Sequence, residues 1–184
     1  MRKHLTALAI ALFGGVVSFA TQAQINGTSS LTATFQTNVV PGTCVAEILD
    51  STGNASSELD FGDVFKSDLT AKSRIEAFKL NFSNCSGVKN ASVQATPGAG
   101  TNCSSGSSDK FGSTNGTAFE VWKGVADTGT VLSCTSQPAQ NVTISSGTGS
   151  MDMNARIVIA DGKTIADVTP GKVTSLVTFM VTYQ

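Results

Sequence analysis

The chain has 184 residues, a length that favours one domain, and only 14% of them are charged. The formal net charge of −1 excludes a basic surface for nucleic acid, and the shortage of charged residues argues against a helical bundle or a coiled coil. Ser, Thr, Asn and Gly take the place of the missing charges, a composition that suits a β-rich protein with a hydroxyl-covered surface.

The N-terminus has the three-part pattern of a secretory signal. A positively charged start at residues 2–4 precedes the apolar run 5–20, and Thr21-Gln22-Ala23 follows it. Polar and glycine residues interrupt the run, which is shorter than the roughly 20 apolar residues of a membrane-spanning helix. We therefore expect residues 1–23 to be a signal peptide that is removed on export, rather than a permanent anchor.

Loss of this segment would also remove His4, the only histidine of the chain. Without histidine there is no Ser-His-Asp triad, no Cys-His pair and no imidazole ligand for zinc. Asp60 and Asp63 are candidates for a carboxylate pair, but a spacing of three on a strand puts their side chains on opposite faces. We expect no enzyme activity, no cofactor and no metal site.

All four cysteines follow the signal. An even number in an exported chain predicts two disulfides, for which three pairings exist. None of the cysteines lie as close together as the C-x-x-C pairs of zinc sites. Sequential pairing, Cys44–Cys85 and Cys103–Cys134, is the simplest of the three, and any of them requires an oxidising compartment.

Short runs of alternating apolar and polar residues follow, separated by turn signals such as Pro97-Gly98, Asp161-Gly162 and Pro170-Gly171. This pattern predicts one all-β sandwich, without a linker that would divide two domains. The predicted strands are Leu31–Val40, Leu59–Phe65, Ile75–Phe82, Ala91–Thr96, Ala118–Trp122, Asn141–Ser145, Asn154–Ala160 and Val173–Tyr183.

The last predicted strand is the most regular. One face is nearly all apolar and the other mixes Thr with Leu and Met. Such a strand is expected inside a sheet with a neighbour on each side, yet no further strand follows it in the sequence. Residues 24–35 alternate in the same way, and they are either a loose leader or a strand meant for another molecule.

An alternative to a chain that donates a strand to another molecule is a self-contained carbohydrate-binding or adhesin module. One Trp and one Tyr are few for the aromatic platforms that grip sugars. Trp122 lies in an alternating strand, so we expect it in the core rather than at a ligand site. A complete sandwich that needs no partner strand would favour this module.

Several motifs recur together in one known family. They are Ile25-Asn26-Gly27, Val39-Val40 ahead of Cys44, Leu59-Asp-Phe-Gly-Asp-Val64, Leu80-Asn-Phe-Ser-Asn-Cys85, Gly171, and Phe179-Met-Val-Thr-Tyr-Gln184 with its penultimate tyrosine. In these features residues 24–184 resemble the pilin subunits of chaperone–usher fimbriae, near the type 1 major pilins. The resemblance implies that residues 24–35 are an N-terminal donor-strand extension and that residues 36–184 are the pilin domain.

The family's fold is an incomplete immunoglobulin-like sandwich that lacks its last strand. The resemblance implies that a periplasmic chaperone fills the gap first and that an outer-membrane usher passes the subunit on. The donor extension of another copy, or of a related pilin, then replaces the chaperone. The expected product is a structural fibre, a fimbrium or pilus on the bacterial cell surface, that contributes to cell adhesion.

The resemblance also implies particular residues. It assigns the bond Cys44–Cys85, and exclusion then pairs Cys103 with Cys134, which are extra to the single disulfide of the commonest type 1 pilins. The remaining roles are the donor strand (Ile25, Gly27, Ser29, Leu31 and Ala33), the acceptor groove (Gly171, Val177, Phe179 and Val181) and the chaperone-binding end (Tyr183 and Gln184).

Overall fold

The computed structural model describes residues 33–184, and Val39–Gln184 form one compact unit. Residues 33–42 have no regular secondary structure. The elements that follow are β1 (Thr43–Leu49), α1 (Lys66–Ala71), β2 (Ile75–Ser86), β3 (Asn90–Pro97), β4 (Phe111–Gly112), β5 (Thr117–Lys123), β6 (Thr130–Val131), β7 (Gln140–Thr143), β8 (Gly149–Ile159), a 3-10 helical turn (Ile165–Asp167) and β9 (Val177–Tyr183).

The strands form two antiparallel sheets. The first has the order β1-β2-β8-β5-β4, with β6 paired to β5, and the second has the order β7-β3-β9. Side chains of both sheets meet in one hydrophobic core. The predicted all-β sandwich is confirmed.

The core is built from the long central strands because their side chains alternate between the two faces of the sheet. Phe78, Leu80 and Phe82 of β2 are buried, and in the antiparallel register Met151 of β8 lies opposite Leu80 and Met153 opposite Phe78. Full burial of each such side chain contributes roughly 1.5–3 kcal/mol.

Two disulfides brace the described chain. Cys44 on β1 is bonded to Cys85 on β2, and Cys103 is bonded to Cys134. These are the sequential pairs, and no described cysteine is free.

The first strands differ from the sequence-based expectation. No strand lies within residues 33–40 of the predicted strand Leu31–Val40, and β1 begins only at Thr43. The predicted strand Leu59–Phe65 is irregular because Asp60 Oδ1 accepts the N–H of Gly62, a local turn that withdraws this backbone from a ladder.

Helix α1 follows this turn and was not predicted. Its start is capped by Asp68, whose Oδ2 accepts the N–H of Phe65, and Lys72 ends it in a left-handed conformation. Leu69 of this helix packs with Ile157 and Val168 in a second, smaller apolar cluster. Six residues are too few to show a helical period in the sequence, and this packing decides the conformation.

The last strand is shorter than predicted and has only one neighbour in the described chain. β9 begins at Val177 rather than at residue 173, because the segment before it bonds to the β4–β5 region instead of to β3: the Thr174 carbonyl accepts the Ser113 hydroxyl, and the Ser175 hydroxyl donates to the Gly112 carbonyl. β9 pairs with β3 and with no other described strand, so the described chain supplies only one of the two neighbours that its sequence pattern predicts.

Candidate functional site: an open edge of the sandwich

β9 lies at the edge of its sheet, although its sequence pattern is that of an interior strand. Val177, Phe179, Val181 and Tyr183 point toward the core and contact it, yet each is only partly buried. The intervening side chains of β9 are exposed. An apolar face that packs on the core but is not covered indicates that a neighbour is missing.

The hydrogen-bond register shows which backbone groups of β9 lack partners. Gln184 exchanges both of its backbone hydrogen bonds with Asn90, and the N–H of Gly98 donates to the carbonyl of Leu176. Because such pairs alternate along an antiparallel ladder, the even-numbered residues 178, 180 and 182 bond to β3. The odd-numbered residues 177, 179, 181 and 183 therefore direct their N–H and C=O groups away from β3.

The unpaired backbone groups and the inward apolar side chains thus belong to the same four residues. No backbone hydrogen bond of these four is made to another residue in the 33–184 range outside the ladder with β3. Seven residues of strand present about 20 Å of edge. A row of free donors and acceptors of this length is a template for one more strand.

The opposite wall of the opening comes from the first sheet, where β1 is also an edge strand. Ile48 of β1, and Leu59 and Phe61 beyond it, are partly buried and pack on the same core. The hydroxyl of Tyr183 donates to the backbone carbonyl of Cys44 at 3.3 Å, joining the two sheet edges. We call the gap between the free edges of β1 and β9 the open seam.

The floor and the ends of the open seam are held in place. Phe179 packs on the buried Phe78 with ring centroids 5.9 Å apart. At one end Gly98 contacts Leu176 so closely that a Cβ would lie 2.5 Å from the Leu176 side chain. At the other end the backbone oxygen of Gln184 accepts the N–H groups of Lys89 and Asn90. β9 is therefore a preformed edge.

The predicted acceptor residues are only partly brought together. Val177, Phe179 and Val181 lie side by side on the inward face of β9. Gly171 lies before β9 instead, at φ 145° beside the side chain of Asn115, where a Cβ would come within 2.7 Å of Nδ2. Its glycine requirement thus follows from this contact and from its positive φ.

Of the predicted donor residues, Ile25, Gly27, Ser29 and Leu31 lie outside the described residues. Ala33 is described, and it is exposed with no regular structure. Both members of the predicted chaperone-binding end are described. Tyr183 is the last residue of β9, and Gln184 is exposed after it.

Sequence reasoning missed part of the seam. It placed Tyr183 only at a chaperone-binding end, whereas its alternation with Val181 could have assigned it to the wall. It placed Leu59 and Phe61 in a predicted strand and in a family motif, but not in the wall of the seam. The Nε of Arg74, which follows helix α1, donates to the Phe61 carbonyl at 2.6 Å and helps to hold this segment.

The open seam has the chemistry of a surface that binds an extended peptide. Its walls are apolar side chains and its edge is backbone, so an added strand would pair its main chain with β9 and bury alternate side chains. Within the described range no three His, Cys, Asp or Glu side chains are grouped to hold a metal ion. None of the helices in residues 33–184 is long and apolar enough to cross a membrane.

A sandwich with one apolar edge left open in this manner can accept one further strand. The comparisons identify the family. The chain is 35% identical over 192 residues to an uncharacterized fimbrial-like protein, YadL, of Escherichia coli strain K12, covering 96% of this chain and 92% of that protein. The chain belongs to the family of fimbrial-like proteins. No family model matches the sequence.

Solved structures agree with the fold. The P pilus rod subunit PapA superposes with a TM-score of 0.52 at 22% identity, covering 77% of this chain and 99% of that subunit. A subunit from the structure of a chaperone–usher pilus, described for the uncoiling of its rod, gives a TM-score of 0.54 at 22% identity, with coverage of 85% and 96%. The predicted incomplete immunoglobulin-like sandwich is thereby confirmed.

Proposed function

We propose that this chain is a structural subunit that polymerises into a surface fibre by strand exchange, each copy inserting residues 24–35 into the open seam of another. The observation that carries the proposal is the coincidence of unpaired backbone and uncovered apolar side chains on the same four residues of β9. Membership of the fimbrial family supports it, and it points to a structural rather than a catalytic role.

The alternation of side chains along the donor strand and β9 supports specific pairings. Ile25, Gly27, Ser29, Leu31 and Ala33 recur every second residue, so one face of the donor strand would enter the seam while its backbone pairs with β9. Val177, Phe179 and Val181 form the acceptor wall in this arrangement, joined by Tyr183 at the end near Cys44. Gly171 keeps a supporting role before β9.

The exposed seam requires a partner before the fibre forms, because unpaired strand edges aggregate. A periplasmic chaperone covers it first, with Tyr183 and Gln184 as the anchoring end, and an outer-membrane usher then exchanges chaperone for subunit. This route requires removal of residues 1–23 on export. The finished fibre lies on the bacterial cell surface and contributes to adhesion.

A self-contained adhesin module is the second candidate, and no feature of β9 favours it. Such a module has a complete sandwich. In the described chain the second sheet ends at β9 with its outer edge open.

The decisive experiment compares two chains in oxidising buffer. One is residues 36–184, and the other carries residues 24–35 after Gln184 through a short flexible linker. We expect the first to aggregate or melt at low temperature and the second to be a monomer that melts on the order of 10–30 °C higher, since four partly exposed side chains become buried. Equal melting of two stable monomers would refute the missing strand.

A matched pair of substitutions in the appended segment then tests which face of the donor strand enters the open seam. Leu31→Arg places a charge on the face that enters the seam, and Thr32→Arg places the same charge on the outward face. We expect Leu31→Arg to abolish the added stability and Thr32→Arg to retain it, because only the first charge is buried. Equal loss from both would contradict the proposed face while leaving strand addition itself intact.

A further inference from the structure

A cavity of about 400 Å³ opens on the outer face of the first sheet, on the side away from the core. Its floor is formed by Glu120 and Trp122 of β5 and Arg156 of β8, which alternate with the core residues Val121 and Ala155. The expectation that Trp122 lies in the core was wrong. Its partly exposed ring lines this cavity instead.

Arg156 is the centre of the floor and is 2% exposed. Its Nε and Nη2 donate to Glu120 Oε2 at 3.0 and 2.6 Å, and its Nη1 and Nη2 donate to the two carboxylate oxygens of Asp127 at 2.6 and 2.7 Å. A buried guanidinium is tolerated only with such pairing. The hydrogen bonds that Arg156 donates to Asp127 and Glu120 hold its pKa above its usual value, so the network stays charged.

Arg156 also holds the tryptophan in place. Its guanidinium carbon lies 5.8 Å from the ring centroid of Trp122, within the range of a cation–π contact. The indole is thus oriented by a fixed neighbour while part of its surface remains open to the cavity. A rigid aromatic surface beside carboxylates is therefore present before any ligand binds.

One wall of the cavity is equally well fixed. Lys110 Nζ lies 2.7 Å from Asp161 Oδ1, and Ser108 Oγ hydrogen-bonds the other oxygen of Asp161. The backbone of this segment is tied to the disulfide Cys103–Cys134, since the N–H of Cys134 donates to the carbonyl of Asp109. The second disulfide thereby braces this wall of the cavity.

The charges of the cavity are balanced rather than of one sign. Three cations and four carboxylates line it, and the ion pairs of Arg156 with Glu120 and Asp127 and of Lys110 with Asp161 join five of these seven groups. Such a surface has no strong attraction for an ion. Glu120 Oε1 accepts no hydrogen bond from residues 33–184, which leaves one carboxylate oxygen of this largely buried residue for a hydroxyl donor.

We propose that this cavity binds an uncharged sugar. The Trp122 ring would pack on a C–H face of the sugar ring, and Glu120, Lys110 and Asp161 would hydrogen-bond its hydroxyls. The volume lies within the usual range of small-ligand sites and fits one or two sugar rings. The inference goes beyond polymerisation, because a fibre of many copies would carry many such sites and gain avidity without new contacts.

The single Trp of the sequence makes the test direct, because tryptophan fluorescence reports only this cavity. The full secreted chain is titrated with the methyl glycosides of mannose, galactose, glucose and N-acetylglucosamine, and separately with methylammonium chloride and sodium phosphate. We expect a saturable change with at least one glycoside and none with the ions. A saturable response to an ion alone would overturn the proposal of a sugar ligand, and so would the absence of a response to every glycoside.

Substitutions then place the binding site. Ser107 is an exposed residue of the cavity rim, so Ser107→Tyr fills the opening without removing a contact of the floor. It should weaken binding at least about tenfold, whereas Ser51→Tyr, at an exposed turn elsewhere, should not. Chemical shifts recorded during the same titrations show whether each variant is folded. Equal binding by both tyrosine variants would overturn the site, and Leu31→Arg, which addresses strand exchange, should leave sugar binding unchanged.

Discussion

β8 and β9 have the same alternation but different surroundings. β8 lies between β2 and β5, and its inward residues Met151 and Met153 are 4% and 1% exposed. β9 has one neighbour, and its inward Phe179 and Val181 stay partly exposed. An alternating sequence therefore indicates which side chains face the core, and the difference between the two strands is that the described chain covers the inward face of β8 but leaves that of β9 partly open.

The largest expected effect comes from shortening one inward side chain on each of the two strands to alanine. Met153→Ala should cost about 2–5 kcal/mol both in the chain 36–184 and in the chain with the appended donor strand, because β8 is complete in both. Phe179→Ala should cost about 1–2 kcal/mol in the open chain and about 3–4 kcal/mol once the seam is filled. Unfolding in urea, or thermal midpoints where the open chain aggregates, measures both losses. Equal losses for Phe179→Ala in the two chains would remove the distinction.

Removal of the second disulfide should have a smaller effect on the free energy of unfolding. Replacing Cys103 and Cys134 together by alanine should cost about 2–4 kcal/mol, mostly by freeing the unfolded chain. Since neither cysteine hydrogen-bonds β9, the loss should be the same with the seam open or filled, as judged by urea unfolding. A larger loss in the filled chain would show that the two regions are coupled.

The sequence located most of the strands but missed β1. β2, β3, β5 and the edge strand β7 were predicted to within four residues at each end and β8 to within five, because alternating side chains mark a strand by their two-residue period. β1 was missed, since Ala46 and Glu47 are exposed on an edge strand and interrupt the period. The inward residues of β9 were predicted, but Leu59 and Phe61 reach the opposite wall through a turn and an arginine contact that no local pattern reveals.

The cavity could not be predicted because it depends on register. Arg156 and Glu120 are far apart in sequence and become neighbours only where β8 pairs with β5. A lone arginine in an alternating strand has the appearance of a solvated residue. Its two carboxylate partners come from a neighbouring strand and from the turn at Asp127.

The outward face of β8 contributes to an ion pair, whereas the outward residues of β9 (Thr178, Met180 and Thr182) have no titratable side chain, so the two faces predict different responses to acid. The pKa of Asp127 is held below its usual value of 3.8, chiefly by the hydrogen bond from Arg156 of β8. A lowered carboxyl pKa stabilises the fold above the unfolded value, and the contribution is lost as the pH falls from about 4 through the folded pKa. The unfolding free energy of the natural chain should therefore fall more steeply below about pH 4 than that of Asp127→Asn. Parallel curves would show that the ion pair adds no stability.

The smallest expected effects are on β9 itself, where adjacent residues have opposite roles. Met180 is 57% exposed on the outward face, so Met180→Ser should change stability by no more than about 0.5 kcal/mol in either chain. Val181→Ser removes one inward contact and should cost more, and the difference should widen when the donor strand is appended, because the hydroxyl is then buried. Urea unfolding of the four proteins measures it. If Met180→Ser becomes as costly as Val181→Ser in the filled chain, the donor strand covers the outward face, and the parity derived from the ladder between β3 and β9 is wrong.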